Sequence, residues 1–245
     1  MSLRINNNVG ALNAYRNLSV SGAAMGKSLE KLSSGYRINR AADDAAGLVK
    51  SEKLRSEITG NKGAVKNAQD GVSFVQTAEG ALSEIHSILQ RIRELAVDAA
   101  NTATTDGVAQ QAEVAELLKE IDSIGSKTTF SGKKVFQNFS GGSALSFHIG
   151  SGSADSLSFA QDLRLTSASV FGAPATVTLT GTTAAAAIAT IDTAIASVSS
   201  VRSTLGATQN RLEHTISNLN VTVENLTASE SRIRDTDMAM EMATF

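Results

Sequence analysis

The residues best suited to acid–base or metal chemistry are three histidines, His86, His148 and His214, and the adjacent carboxylates Asp43 and Asp44. Such groups catalyse only when they converge on one reacting atom. The histidines are scattered: His86 and His214 fall in helical patterning, His148 in a short alternating run. There is no His-Glu-x-x-His run, which excludes the helix-borne zinc-protease arrangement. Neighbouring residues on a helix point about 100° apart, so Asp43 and Asp44 do not face one substrate. They read instead as charges at a helix N-terminus, within reach of Arg37 or Arg40. GSGSAD at 150–155 lacks the strand–turn–helix setting of a phosphate cradle. The chain has no cysteine, which removes disulfides, thiolate catalysis and cysteine-bound metal. The chain is therefore expected to be no enzyme and to need no cofactor.

Composition points to long helices. Aromatics are 4% of the 245 residues, Trp is absent and Pro occurs once, as Pro174. Such a chain cannot fill a thick core with bulky side chains. It suits narrow apolar seams in which Ala lets helix backbones approach closely. The net charge of −2, with no basic run and no aromatic platform, gives nucleic acid no footprint. No stretch reads as 18 consecutive apolar residues, so no membrane insertion is expected. MSLRINNNVGAL has no apolar core of a secretory signal peptide.

The elements follow from periodicity. Between Ile5 and Leu32 the apolar spacing is helical but broken. Gly10, Gly22 and Gly26 each weaken it by about 1 kcal/mol relative to Ala, so this segment is expected to be helical only when partners cover it. Ser33, Ser34 and Gly35 form a helix stop, with Gly35 suited to a left-handed position. Asn39 is a candidate cap for the next helix, with Asp43 and Asp44 near its start. From Asp44 to Asn101, Ala68, Val75, Leu82, Leu89 and Ala96 recur every seven residues, and Ala78, Ile85, Ile92 and Ala99 run beside them as a heptad seam. A second helix spans Val108 to Ile124 with Val108, Ala112, Ala115, Leu118 and Ile121 inward. ALSFHIG and DSLSFAQ read as hairpin strands, and VFGAPATVTLTGTT as a loop or small hairpin. Val198, Leu205, Leu212, Leu219, Leu226, Ile233 and Met240 form the longest seam. The fold class is mainly α: an elongated antiparallel helical rod with a small β-hairpin region at its distal end.

Several long stretches carry a family resemblance: LRINNNVGALNAYRNL, KLSSGYRINRAADDAAGL, NAQDGVSFVQTAEGALSEIHSILQRIRELAVDAANT, FSGKKVF and VRSTLGATQNRLEHTISNLNVTVENLTASESRIRDTDMAMEM. The chain resembles the bacterial flagellins, subunits of the flagellar filament. The resemblance implies an inner terminal-helix segment and joint over 1–43. It implies a rod domain over 44–234, with helices at 44–101, 108–124 and 184–231 and a β-rich insert at 127–183. Residues 235–245 would begin the C-terminal inner segment. Only 127–183 separates the helical halves, so the large outer domains of the family are absent. Family members continue past the position matching Phe245, so this chain is expected to be truncated or atypical and to polymerise less strongly.

By the same resemblance, the stretch holding Gly35, Arg37, Asn39, Asp43 and Asp44 joins inner helix to rod and packs against neighbouring subunits. The implied partners are other flagellin subunits, the flagellar export machinery with its chaperone, and the filament cap. The implied location is the extracellular filament. The hook–filament junction protein of the same superfamily and a secreted coiled-coil adaptor are the alternatives. Toll-like receptors of vertebrates that sense flagellin bind a surface with a QRxREL motif, and QRIRELAV stands at 90–97. The resemblance makes Arg91 and Leu95 receptor contacts, with Glu113 on the next helix. Arg91 and Leu95 lie i, i+4 on one face, off the main heptad positions, so both should be removable without unfolding. Read from pattern alone, Arg91 is a solvated residue and Leu95 a shoulder of the seam beside Ile92.

Overall fold

The computed structural model describes residues 8–101, 107–136, 145–152, 154–159, 163, 178–179 and 183–245. Among the described residues five helices lie in this order: α1 (Val9–Ser34), α2 (Ala45–Ala99), α3 (Val108–Lys127), α4 (Ala184–Arg234) and α5 (Met238–Thr244). Among the described residues between α3 and α4 stand two antiparallel hairpins: β1 (Thr129–Phe130) with β2 (Lys133–Lys134), and β3 (Leu145–His148) with β4 (Ser156–Phe159). The fold is mainly α, with long helices and small antiparallel hairpins. Of the segment 170–183, only Thr178, Leu179 and Thr183 are described, so the loop expected there lies outside the described residues.

The chain divides into two compact units, Gly63–Leu219 and Met1–Lys62 with Asn220–Phe245. In the Gly63–Leu219 unit the heptad seam of α2 is the core. Ala68, Val75, Ala78, Leu82, Ile85, Leu89, Ile92, Ala96 and Ala99 are buried, and so are Ile191, Ala194, Val198, Leu205 and Leu212 of α4. Arg93 pairs with Asp192 at 2.7 Å and Glu79 with Arg202 at 3.8 Å, so the two helices run antiparallel here. One 18-residue window of α4 has a mean hydropathy of 1.5, long and apolar enough by composition to cross a membrane. That departs from the sequence expectation, because Ala, Val and Ile interleave with Ser and Thr. The Ile191 and Val198 face of that helix is spent on the core.

Helix α3 departs from its predicted inward face. Val108 and Ala112 are exposed, and the buried set is Val114, Leu118, Ile121 and Gly125. The predicted set takes three successive three-residue steps from Ala112 to Ile121. Each step falls about 60° short of a full turn, so that stripe winds around the helix and only its later part faces the core.

The hairpins are seated by one aromatic residue. Phe74 of α2 meets Phe130 edge-on, with ring centroids 5.8 Å apart, and Phe147 at 6.0 Å. The β1–β2 turn has positive φ at Ser131 and Gly132, the left-handed pair that a two-residue hairpin loop requires. The β3–β4 hairpin packs its Leu157 with Ala68 of α2 and Leu212 of α4, and Asn67 Nδ2 donates to the His148 carbonyl at 3.0 Å. Gly71 is the close-approach point. A Cβ there would lie 3.1 Å from Leu212 Cδ1 and 3.2 Å from Phe147 Cδ1.

In the terminal unit the segment expected to be helical only on assembly is the helix α1. Asn8 accepts from the Ala11 amide at its start, and Gly35, at φ 73°, accepts the left-handed position at its end. These caps offset the glycines that weaken the interior. No residue of α1 or α5 is buried. The predicted α4 seam also ends early: Leu219, Leu226 and Ile233 are half-buried, and Met240 is 70% exposed on the separate helix α5.

Leu212→Ala should lower unfolding stability by about 2–5 kcal/mol in urea melts, because a fully buried leucine leaves a cavity. Leu219→Ala, at a half-buried site, should cost clearly less. Equal losses at the two positions would contradict this burial pattern.

Candidate functional site

The joint begins where α1 stops. Only glycine takes the Gly35 backbone without strain, because a Cβ opposes positive φ. Beyond it the chain turns on side-chain acceptors. Asp43 Oδ2 accepts the amides of Arg40 at 3.0 Å and Asn39 at 3.3 Å. Asp44 Oδ1 accepts the Gly47 amide at 2.8 Å and so caps α2. The two carboxylates divide the work, one holding the turn and one starting the helix.

Asn39 does not cap α2, contrary to the sequence expectation. Its amide Nδ2 points back to the end of α1, donating to Ser34 Oγ at 2.8 Å and to the Glu30 carbonyl at 3.4 Å. The Asp43 turn lies between Asn39 and the helix start, which puts Asn39 one step too early. The arginines also pair elsewhere than expected. Arg40 binds Glu30 at 2.9 Å, and Arg37 Nη2 donates to the Ile233 carbonyl at 2.6 Å. Asp43 is instead held below the ordinary aspartate value of 3.8, first by the Arg40 amide; desolvation, the next largest effect, opposes this, and the Asn39 amide and the charges of Lys27 and Arg40 add to the lowering.

A clasp to the far end of the chain completes the joint. Tyr36 and Asp235 form an antiparallel β-bridge. The Arg37 amide donates to the Arg234 carbonyl at 2.7 Å, and the Thr236 amide to the Gly35 carbonyl at 3.0 Å. The Arg234 guanidinium lies 4.9 Å from the Tyr36 ring centroid, a cation–π distance. Its Nη1 reaches Glu52 Oε1 at 2.8 Å. Lys31 and Glu241 join α1 to α5 at 3.4 Å. Tyr36, Glu52 and Arg234 were not legible as site residues. No local spacing links positions so far apart.

The predicted receptor residues lie in the other unit, on adjoining faces of α2 and α3. Arg91 Nε donates to Glu113 Oε1 at 2.9 Å, and Nη1 to Glu94 Oε2 at 3.3 Å. Glu113, by hydrogen bond first and charge second, raises the Arg91 pKa. Both side chains are about half exposed. Leu95 is different: it is 7% exposed and belongs to the main core with Ile92, Ala96 and Ala99. The expectation that it lies off the structural seam is corrected. It stands one residue before Ala96 and is buried in the same core cluster as Val114 and Leu118 of α3. Among the described residues no group of three or more His, Cys, Asp or Glu could hold a metal ion.

Comparison with known proteins agrees with this architecture. Residues 5–140 match the bacterial flagellin N-terminal helical region, and residues 188–245 the bacterial flagellin C-terminal helical region. A flagellin of Halalkalibacterium halodurans is 47% identical over 98% of this chain and 89% of its own length. A Bacillus subtilis flagellin is 55% identical over 54% of this chain, and the match spans 45% of that protein. The crystal structure of Bacillus cereus flagellin superposes with a TM-score of 0.53 at 31% identity, covering 63% of this chain and 88% of that one.

Because its folded pKa is depressed, the Asp43 contribution to the joint is complete above pH 3.8 and is lost as pH falls through the lower folded value. The protection of the Asn39 and Arg40 amides, taken against their intrinsic exchange rates at each pH, should therefore fall as the solution is acidified below that point. Asp43→Asn should weaken the protection at neutral pH and abolish its acid dependence. An unchanged acid profile in the variant would contradict the assignment.

Proposed function

Because the chain belongs to the bacterial flagellin family, in a short form without the large outer domain, we propose that it is a structural subunit that polymerises with its own kind into a flagellar filament. Flagellin homologues form the extracellular flagellar filament, and the family is structural, not enzymatic. The observation that carries the reading for this chain is the terminal unit. Helices α1 and α5 pack on each other yet bury none of their residues. Leu12, Leu18, Met25 and Leu29 of α1 are each about half exposed or more. An apolar helix face of this extent is a contact surface awaiting its partner. Neighbouring subunits supply that cover, and Gly35, Arg37, Asn39, Asp43 and Asp44 hold α1 at the angle the contact requires. Swimming motility is the use of such a filament. The export machinery with its chaperone, and a filament cap, are the partners that deliver the chain and place it.

The test is growth on seeds. Purified chain added to short filament fragments should extend them into continuous filaments in the electron microscope. A chain that stays monomeric on seeds at every concentration would overturn the reading.

Recognition by a vertebrate Toll-like receptor is the finer part of the proposal. Its support is the QRIREL helix beside Glu113, with Arg91 and Glu113 both solvent-accessible. Arg91 offers the receptor a planar fork, held in place by Glu113. Leu95 supports that face from beneath. Arg91→Ala should weaken receptor affinity by more than about tenfold without changing the melting temperature. Glu113→Ala should weaken it less, by freeing the Arg91 side chain. Leu95→Ala should cost about 2–5 kcal/mol of stability, since it empties a core site. Unchanged affinity in Arg91→Ala would remove Arg91 from the surface.

A further inference from the structure

The thioethers of this chain are confined to one place. Its five methionines are Met1, Met25, Met238, Met240 and Met242, so the Gly63–Leu219 unit contains none, and the chain has no cysteine. The four described ones are all open to solvent: Met25 is 49% exposed, Met238 44%, Met240 70% and Met242 66%. Met25 stands in the exposed stripe of α1 with Leu18 and Leu29, seven and four residues away on one helix face. The other three lie on α5, where the pair between Glu241 and Lys31 holds the helix against the end of α1. Every sulfur that a peroxide can reach among the described residues thus sits on the two helices that carry the uncovered apolar surface.

We propose that Met25, Met238, Met240 and Met242 form an oxidation site through which peroxides reversibly switch off self-association. The inference rests on the filament-subunit reading above. The reaction transfers one oxygen atom. The O–O bond of the peroxide breaks, one oxygen bonds to the methionine sulfur, and the other leaves as water or, from an organic peroxide, as the alcohol. Each thioether is oxidised by two electrons to the sulfoxide, and the peroxide is reduced. The product is a polar, chiral group in place of a flexible apolar one. Burying a sulfoxide against a neighbouring copy without a hydrogen-bond donor carries the penalty of any desolvated polar group. Several such groups on one contact surface oppose association, while the core of the Gly63–Leu219 unit, which has no sulfur, is untouched. Reduction by methionine sulfoxide reductases, with a dithiol that is oxidised to its disulfide as electron donor and the oxygen leaving as water, restores the original surface.

The experiment treats the purified full chain with hydrogen peroxide. It reads oxidation at each methionine by peptide mass spectrometry and growth on filament seeds by light scattering. The four positions should oxidise as fast as methionine in a short unstructured peptide. Seeded growth should fall by more than about tenfold, melting of the main core should not shift, and methionine sulfoxide reductases should restore growth. A chain with Met25→Leu, Met238→Leu, Met240→Leu and Met242→Leu, measured against its own untreated growth rate whatever that is, should lose none of that growth on peroxide treatment. Slow oxidation at the four positions would overturn the site. So would normal growth of the fully oxidised chain, or equal inhibition of the leucine chain. Failure of the untreated chain to grow would instead sink the filament reading, and this inference with it.

Discussion

The close approach of α2 and α4 in the Gly63–Leu219 unit is the constraint on which the rest depends. With aromatics at 4% of the chain, the core cannot be built from large rings. It is built from leucine and isoleucine alternating with alanine: Ala68, Ala78, Ala96 and Ala99 on one helix, Ala184, Ala187 and Ala194 on the other, all buried. Small side chains let the backbones near each other, and large ones fill the spaces between. The helix α3 and both hairpins dock on the surface of this pair. Phe74 and Gly71 fix the hairpin docking, the first by offering a ring to Phe130 and Phe147, the second by leaving room for Phe147 and Leu212.

The terminal unit follows a different logic. Its helices α1 and α5 have caps, ion pairs and a backbone clasp, and they lack a core of their own. The Tyr36–Asp235 bridge and the Arg234 contacts make the two ends of the chain one structural object, although they are nearly two hundred residues apart in sequence. Local hydrogen bonds of this kind fix geometry more than they add stability, since each contributes about 1 kcal/mol net. Such a unit has a defined shape and an open apolar surface together, which is what a polymerising subunit requires before it meets its neighbours.

Much of this was legible in the sequence wherever periodicity alone carries the information. The seven-residue recurrence from Ala68 to Ala96 and from Val198 to Leu212 marks the buried seams, because burial and period have one cause. Legibility fell where a third element decides the outcome. Leu95 reads as a shoulder, yet it is buried in the cluster that the other elements join. Val108 reads as inward until the drift of its stripe around the helix is followed. Asn39 is a good cap by type, yet the Asp43 turn delays the helix and Asp44 takes that place. The clasp from Tyr36 to Arg234 left no sequence trace, since a cation over a ring needs proximity and not spacing.

The central claim is that the terminal helices are formed but uncovered in the single chain and become covered on assembly. Hydrogen exchange measured by mass spectrometry on monomer and on seeded polymer tests it directly. Amides of α1 and α5 should exchange quickly in the monomer and become strongly protected in the polymer, while the α2 and α4 seam stays protected in both. Equal exchange of α1 and α5 in the two states would contradict the claim.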